Sequence, residues 1–327
     1  MATVTNHSRY LSSHLDAARQ SYPVMPKRPL GSTGLLVGEI GVGTSALEAG
    51  WLATVPDEEA SYALGLALDM QASLVDLASV AGVDRSLRML GLAMRQRRHQ
   101  AQVCLRVAGG PEEIPRLTEA ALKSMGTDHV DILLWDRPIV AELTGRDSAW
   151  KALSALKAQG KALHLGAALS APAELGAAMG RPEVEVLRFP LNIFNQSNAQ
   201  VLEAAADKGL GLIAAQPLDS GWLTGRFGAN HVFADSRLRW SRADRVRRAA
   251  LQEQVEGIVA KSGTTTIQAA LQFVLSFPQI SCAVASISAW QQVVGNVDAA
   301  RGVLDAAVVA KLKDLWLREI QPHPLVP

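Results

Sequence analysis

Two cysteines, no apolar run of membrane length and almost no net charge set the first limits on this chain of 327 residues. Cys104 and Cys282 both stand in apolar runs, so buried free thiols and a reducing compartment are expected in place of a disulfide framework. No apolar stretch approaches the roughly 20 residues that cross a bilayer. The opening MATVTNHSRY holds no apolar segment of the secretory type. A formal net charge of +1 supplies no field to gather nucleic acid or anionic lipid. No His, Cys and carboxylate residues share metal-ligand spacing. Together these absences lead to the expectation of a cytoplasmic protein with no membrane, nucleic-acid or metal partner.

What is present is a large apolar complement, 48% of residues against 19% charged, enough for an extensive core. Eight short apolar runs of strand length punctuate the chain, at 39–44, 73–78, 102–107, 130–136, 163–169, 185–190, 211–216 and 281–287. Segments of helical period separate most of them, near 57–70, 84–97, 112–125, 147–159, 172–179, 197–208 and 264–276. Asp57, Glu58 and Glu59 acidify the first turn of one, and Pro172 and Asn198 sit near the starts of others. Strands alternating with helices imply a parallel sheet, and eight of them close most simply into a (β/α)₈ TIM barrel. The open doubly wound sheet is the alternative, weakened because no GxGxxG follows the first strand.

Three additions surround this plan. Residues 1–27 form an N-terminal arm with a short helix expected near 9–20, which is disordered, caps the barrel bottom or contacts a protein partner. The barrel is expected over 28–320, followed by a tail at 321–327. Within it, 226–262 is a long connection carrying Arg237, Arg239, Arg242, Arg245, Arg247 and Arg248, read as a solvated helix face in preference to a phosphate-gripping patch. A further helix is expected at about 306–319.

Six motifs carry a family resemblance. RPLGSTGLLVGEIGVGT (28–44), SLVDLASVAG with RSLRMLG (73–91), GKALHLGAAL (160–169), FPLNIF (189–194), PLDSGWLTGRF (217–227) and QQVVGN (291–296) resemble, in order and spacing, the aldo-keto reductases. The resemblance runs from about residue 28 to 318 and implies the barrel, nicotinamide-dependent carbonyl reduction, and catalytic Asp, Tyr, Lys and His at the C-terminal strand ends. Hydride arriving at a carbonyl carbon makes an alkoxide, so an acid must deliver a proton; a phenol tuned by a lysine cation does so. Asp76 matches the family aspartate, but the tyrosine position falls on Ala81, and nearby Ser79 and Val80 are no substitute. The lysine position falls on Arg106 or Val107; Arg106 is preferred, since a charge belongs at the wet mouth, yet arginine does not release its proton. The histidine position falls on Asp136, whose charge opposes a developing alkoxide.

The cofactor positions that the resemblance implies are similarly altered. The Ser-Asn pair and Gln that hold the nicotinamide carboxamide become Ala168, Leu169 and Arg188, and the adenosine-phosphate Arg/Lys and Glu become Ser288 and Gly295. Ser220, Gly221 and Leu223 in the pyrophosphate loop, with Gln292 and Asn296, remain as candidate NADPH contacts. No cofactor is therefore expected, and NADPH only if the chain is an oxidoreductase with an unusual proton donor.

The leading expectation is a remodelled mouth built from Asp76, Arg106, Asp136 and Arg188. Two arginines there suit a small anionic or partly hydrophobic ligand, bound or transformed without redox chemistry. The plainer reading is a self-neutralising ion-pair network filling the vacated pocket. Alternatives are an oxidoreductase acting on an aldehyde or ketone, and a non-catalytic regulatory or structural subunit. Trp51, Trp135 and Trp222 are read as lining a substrate pocket, His164 as a satisfied structural histidine, His129 as lying on the opposite face from catalysis, and Cys104 as an inert thiol sharing the Arg106 face.

Overall fold

The computed structural model describes residues 25–48, 55–77, 84–145 and 148–326. An antiparallel hairpin, β1 (Lys27–Pro29) and β2 (Leu36–Gly38), precedes eight parallel strands that close on themselves. These are β3 (Ile40–Gly43), β4 (Leu74–Leu77), β5 (Gln102–Val107), β6 (Val130–Asp136), β7 (Ala162–Ala168), β8 (Val186–Pro190), β9 (Gly211–Ala215) and β10 (Cys282–Ser286), with β10 pairing both β9 and β3. The expected (β/α)₈ barrel is thus the fold, and each expected strand falls within a residue or two of its run. The helices are α1 (Asp57–Asp69), α2 (Arg85–Ala93), α3 (Glu113–Met125), α4 (Val140–Thr144), α5 (Ser148–Ala158) and α6 (Pro172–Ala178), then α7 (Leu202–Asp207), α8 (Arg242–Val259), α9 (Thr266–Leu275), α10 (Trp290–Ala299) and α11 (Ala306–Leu315). The expected arm helix lies outside the described residues.

Local chemistry explains several boundaries. The acidic first turn of α1 complements the helix dipole, Pro172 occupies the first turn of α6, and Ser241–Asp244 and Thr265–Gln268 form reciprocal capping boxes on α8 and α9. The segment at 197–208 departs from a single helix. It is a 3₁₀ turn over Ser197–Val201 before α7, with buried Asn198 donating to the carbonyls of Ser170 and Pro190 instead of capping α7.

Strand alternation separates two apolar layers. Leu74, Cys104, Ile132, Leu134, Val186, Ile213 and Val284 fill the barrel, and Leu30 and Val37 of the hairpin join them from its N-terminal end. The alternate residues, among them Leu77, Val107, Trp135 and Phe189, pack outward against the helices. Gly166 on β7 is required by the tightness of this interior. A Cβ there would overlap the Val186 carbonyl oxygen and lie 2.9 Å from Leu134 Cδ2. Because one of the obstacles is backbone, Gly166→Ala is expected to destabilise by about 3 kcal/mol or more, read as a lower midpoint in urea with an unchanged slope.

Candidate active site at the barrel mouth

The inward parity that places Leu74, Cys104 and Leu134 in the barrel also turns Asp76, Arg106, Asp136 and Arg188 inward, one or two pleats nearer the C-terminal ends of their strands. Of the two residues expected at the lysine position, Arg106 enters the mouth and Val107 packs among the helices. Asp76 is the hub. Its Oδ1 accepts from Arg106 Nε at 3.1 Å, and its Oδ2 accepts from Arg188 Nε and Nη2 at 3.0 and 2.7 Å. Arg106 continues the chain through Nη1 to Asp136 Oδ1 at 3.2 Å.

Both carboxylates are buried, with side chains 3% exposed, while Arg106 and Arg188 keep 14% and 17%. Burial pulls the Arg106 guanidinium towards its neutral form, but Asp76 and Asp136 together outweigh this and raise its pKa. Arg106 is therefore a permanent cation and cannot act as a proton relay. Cys104, one pleat below, is pushed well up, first by burial and then by the Asp76 charge, so its thiol is not a nucleophile.

One mouth residue escapes the sequence reading. Arg137 follows β6 in the left-handed region at φ 55°, unusual for a residue with a side chain. Its backbone N–H donates to Ala168 O at 2.9 Å, and its side chain, 74% exposed, brings Nε to 3.4 Å from Asp136 Oδ2. With it, the cluster holds three guanidinium groups against two carboxylates. The signal was an arginine adjoining an expected strand end, but Pro138 after it left only a turn to be read.

Other sequence expectations meet different fates. Ala81, expected at the family tyrosine position, and Trp51 lie outside the described residues. Trp135 and Trp222 do not line a pocket: Trp135 stacks edge-on against Trp150 between sheet and helices, and Trp222 is fully buried against Trp240, Phe227 and Phe233. Trp135 points into the sheet–helix layer because its place in β6 alternates with the inward residues, and Trp222 is drawn into the core by its aromatic neighbours in the loop after β9. His164 is satisfied by Glu185 at 2.7 Å, and His129, one residue before β6, pairs with Asp128 away from the mouth.

The arginine-rich connection is only partly a solvated face. Arg242 is exposed, but Arg237 and Arg248 are 2% and 1% exposed. Arg237 ion-pairs with Asp235, donates to Ser220 O at 3.3 Å and lies over the Phe227 and Phe233 rings. Arg248 reaches Asp219 at 3.2 Å and covers Trp240 at 4.2 Å. Periodicity does not mark them, because their burial comes from ion pairs and aromatic faces: Asp235 within the same turn for Arg237, and the remote Asp219 for Arg248.

The candidate cofactor positions lie in the loop after β9 and on α10. Ser220 and Gly221 are left-handed at φ 53° and 89°, making a tight loop whose free side is approached by Phe227 and Arg237. Leu223 is fully buried in the core. Gln292 turns back on its own helix start: its Oε1 accepts from Ser288 N at 2.7 Å and its Nε2 donates to Ser288 Oγ at 3.1 Å. Asn296 is buried on the same helix. No group of three or more His, Cys, Asp or Glu residues is poised to hold a metal among the described residues.

The sequence pattern of the aldo/keto reductase family matches residues 39–317, most of the chain. The chain belongs to this family. A probable voltage-gated potassium channel subunit beta of Arabidopsis thaliana is 24% identical over 303 residues, covering 84% of this chain and 91% of the relative. An NADH-specific methylglyoxal reductase of Escherichia coli is 22% identical over 305 residues, covering 84% and 93%. Among solved structures, the holo form of an aldo-keto reductase from Bacillus halodurans superposes with a TM-score of 0.73 at 17% identity, covering 89% of this chain and 96% of that one. The last likeness concerns the fold. No helix among the described residues is long and apolar enough to cross a membrane.

Proposed function

We propose that this member of the aldo/keto reductase family has left nicotinamide-dependent carbonyl reduction and uses its mouth to bind a small anionic ligand, either as a binding site or for a non-redox reaction. The observation that carries the reading is the double engagement of Asp76 by Arg106 and Arg188. An aspartate committed to two guanidiniums tunes no acid, and neither arginine releases a proton to an alkoxide. Asp136 adds negative charge where an alkoxide would develop, and its neighbour Arg106 stays charged. Meanwhile Arg106 Nη2 and Arg188 Nη1 have no hydrogen-bond partner among the described residues, leaving N–H groups available to a carboxylate or phosphate.

The competing reading is an NADPH-dependent oxidoreductase, favoured by the tight left-handed loop at Ser220 and Gly221, a shape that suits a pyrophosphate. Against it, Gln292 is already satisfied by Ser288, and the positions expected to hold the carboxamide carry Ala168, Leu169 and Arg188. Titrating the protein into NADPH and following nicotinamide fluorescence separates the two. The expected result is no saturable change at micromolar protein and no methylglyoxal turnover, with inorganic phosphate or a small carboxylate giving a calorimetric isotherm. Loss of the proton donor alone lowers a reductase rate by about 10²–10⁴. Tight NADPH binding with aldehyde reduction overturns the proposal.

A further inference from the structure

The mouth holds an unmet acceptor beside its unmet donors. Asp136 Oδ2 is buried and accepts no hydrogen bond, although Oδ1 of the same carboxylate is bound by Arg106. A buried carboxylate oxygen left without a donor is costly and calls for one. What lies over it is Arg137, whose Nε stands 3.4 Å away without hydrogen-bond geometry, on a side chain that is 74% exposed. An exposed long side chain in such a contact contributes little and is readily displaced. Arg106 Nη2, on the same guanidinium that binds Oδ1, has no partner among the described residues.

A ligand that satisfies this arrangement must bring both a donor and an acceptor. A bare anion meets the arginines and repels Asp136. An ammonium group would meet Asp136 beside three guanidiniums that oppose it. A neutral hydroxyl next to a carboxylate meets both demands. Resting on the anion-binding reading above, we infer that the mouth is selective for a small hydroxycarboxylate. Its hydroxyl donates to Asp136 Oδ2, its carboxylate takes the free N–H groups of Arg106 and Arg188, and Arg137 swings from Asp136 to close over the anion.

Isothermal calorimetry with matched pairs tests this on the full chain: glycolate against acetate, lactate against propionate, malate against succinate. The hydroxy acid of at least one pair is expected to bind about tenfold tighter than its deoxy partner, since the latter leaves Oδ2 buried and unmet. Asp136→Asn keeps an oxygen for Arg106 and presents an amide N–H₂ where Oδ2 stood, so the preference should fall to about onefold. Arg137→Ala should weaken both members of a pair several-fold and alike, leaving the preference in place. Equal binding of the paired acids in the wild type overturns the inference while the anion-binding reading stands. Absence of binding by every acid and by phosphate overturns both. A preference that survives intact in a folded Asp136→Asn protein removes Asp136 from the site. Should that variant fail to fold, the wild-type pairs and Arg137→Ala still decide the matter.

Discussion

Asp76→Ala is expected to lower stability by about 3–5 kcal/mol, because it strands two partly buried guanidiniums without their shared counter-charge. Asp76 accepts from both Arg106 and Arg188, so its removal breaks three hydrogen bonds at once. The measurement is urea unfolding, read as a fall in the midpoint. An informative companion replaces the whole network with apolar residues of similar volume: Asp76→Leu, Arg106→Met, Asp136→Leu and Arg188→Met together. Removing all four charges abolishes their desolvation penalty along with their attraction. Stability should therefore return to within about 2 kcal/mol of the wild type or exceed it. Anion binding should disappear in the same protein. A quadruple variant as unstable as Asp76→Ala would mean that the network is a stabilising device in its own right, and single-site anion data would need to be read in that light.

The second large effect is expected at Arg248. This residue is buried under the C-terminal segment, where it donates to Val326 O at 2.5 Å and to Asp219 at 3.2 Å, while Trp240 donates to the same Val326 carbonyl at 3.2 Å. Arg248→Met keeps much of the stem packing on Trp240 but leaves Asp219 buried without its nearest cation. The expected loss is about 3–5 kcal/mol near neutral pH, accompanied by faster hydrogen exchange over 321–326. The loss should also depend on pH. Burial already raises the pKa of Asp219, against the opposing pull of Arg248, and the variant removes that pull. The folded variant then holds a proton that the unfolded chain has released, so its stability falls as pH rises through the folded pKa of Asp219 and is recovered below the unfolded carboxylate value. Arg248→Met should thus be least damaging in mild acid and most damaging at high pH. An equal deficit at both would show that Asp219 does not carry the effect.

Arg106, held by Asp76, and Arg248, held by Asp219, stand in very different sequence surroundings. Arg106 sits inside QVCLRV, where the sequence leaves it open against Val107 and favours it only as the charged residue of the two; the structure turns Arg106 into the mouth. Arg248 sits on a polar helix among other arginines, where periodicity points to solvent; its burial comes from Trp240, Asp219 and the returning C-terminal segment. A residue whose partners are close in sequence can be placed from its neighbours. One whose partners come from remote segments cannot. Trp135 shows the same limit: its position near a strand end suggested a pocket wall, but one step of parity turned it outward onto Trp150.

By itself the sequence determined the barrel, the eight strands nearly to the residue, and the family. Each of these rests on local pattern: apolar runs of strand length, helical period between them, and motifs in order along the chain. Only the tertiary structure decided that Asp76 joins Arg106 to Arg188 across strands β4, β5 and β8, that Asp136 keeps an orphaned oxygen, and that Arg137 covers it. Closure of the barrel brings residues 112 positions apart within 2.7 Å. The charge balance of the mouth arises at that closure, from side chains on separate strands brought within hydrogen-bond distance of one another.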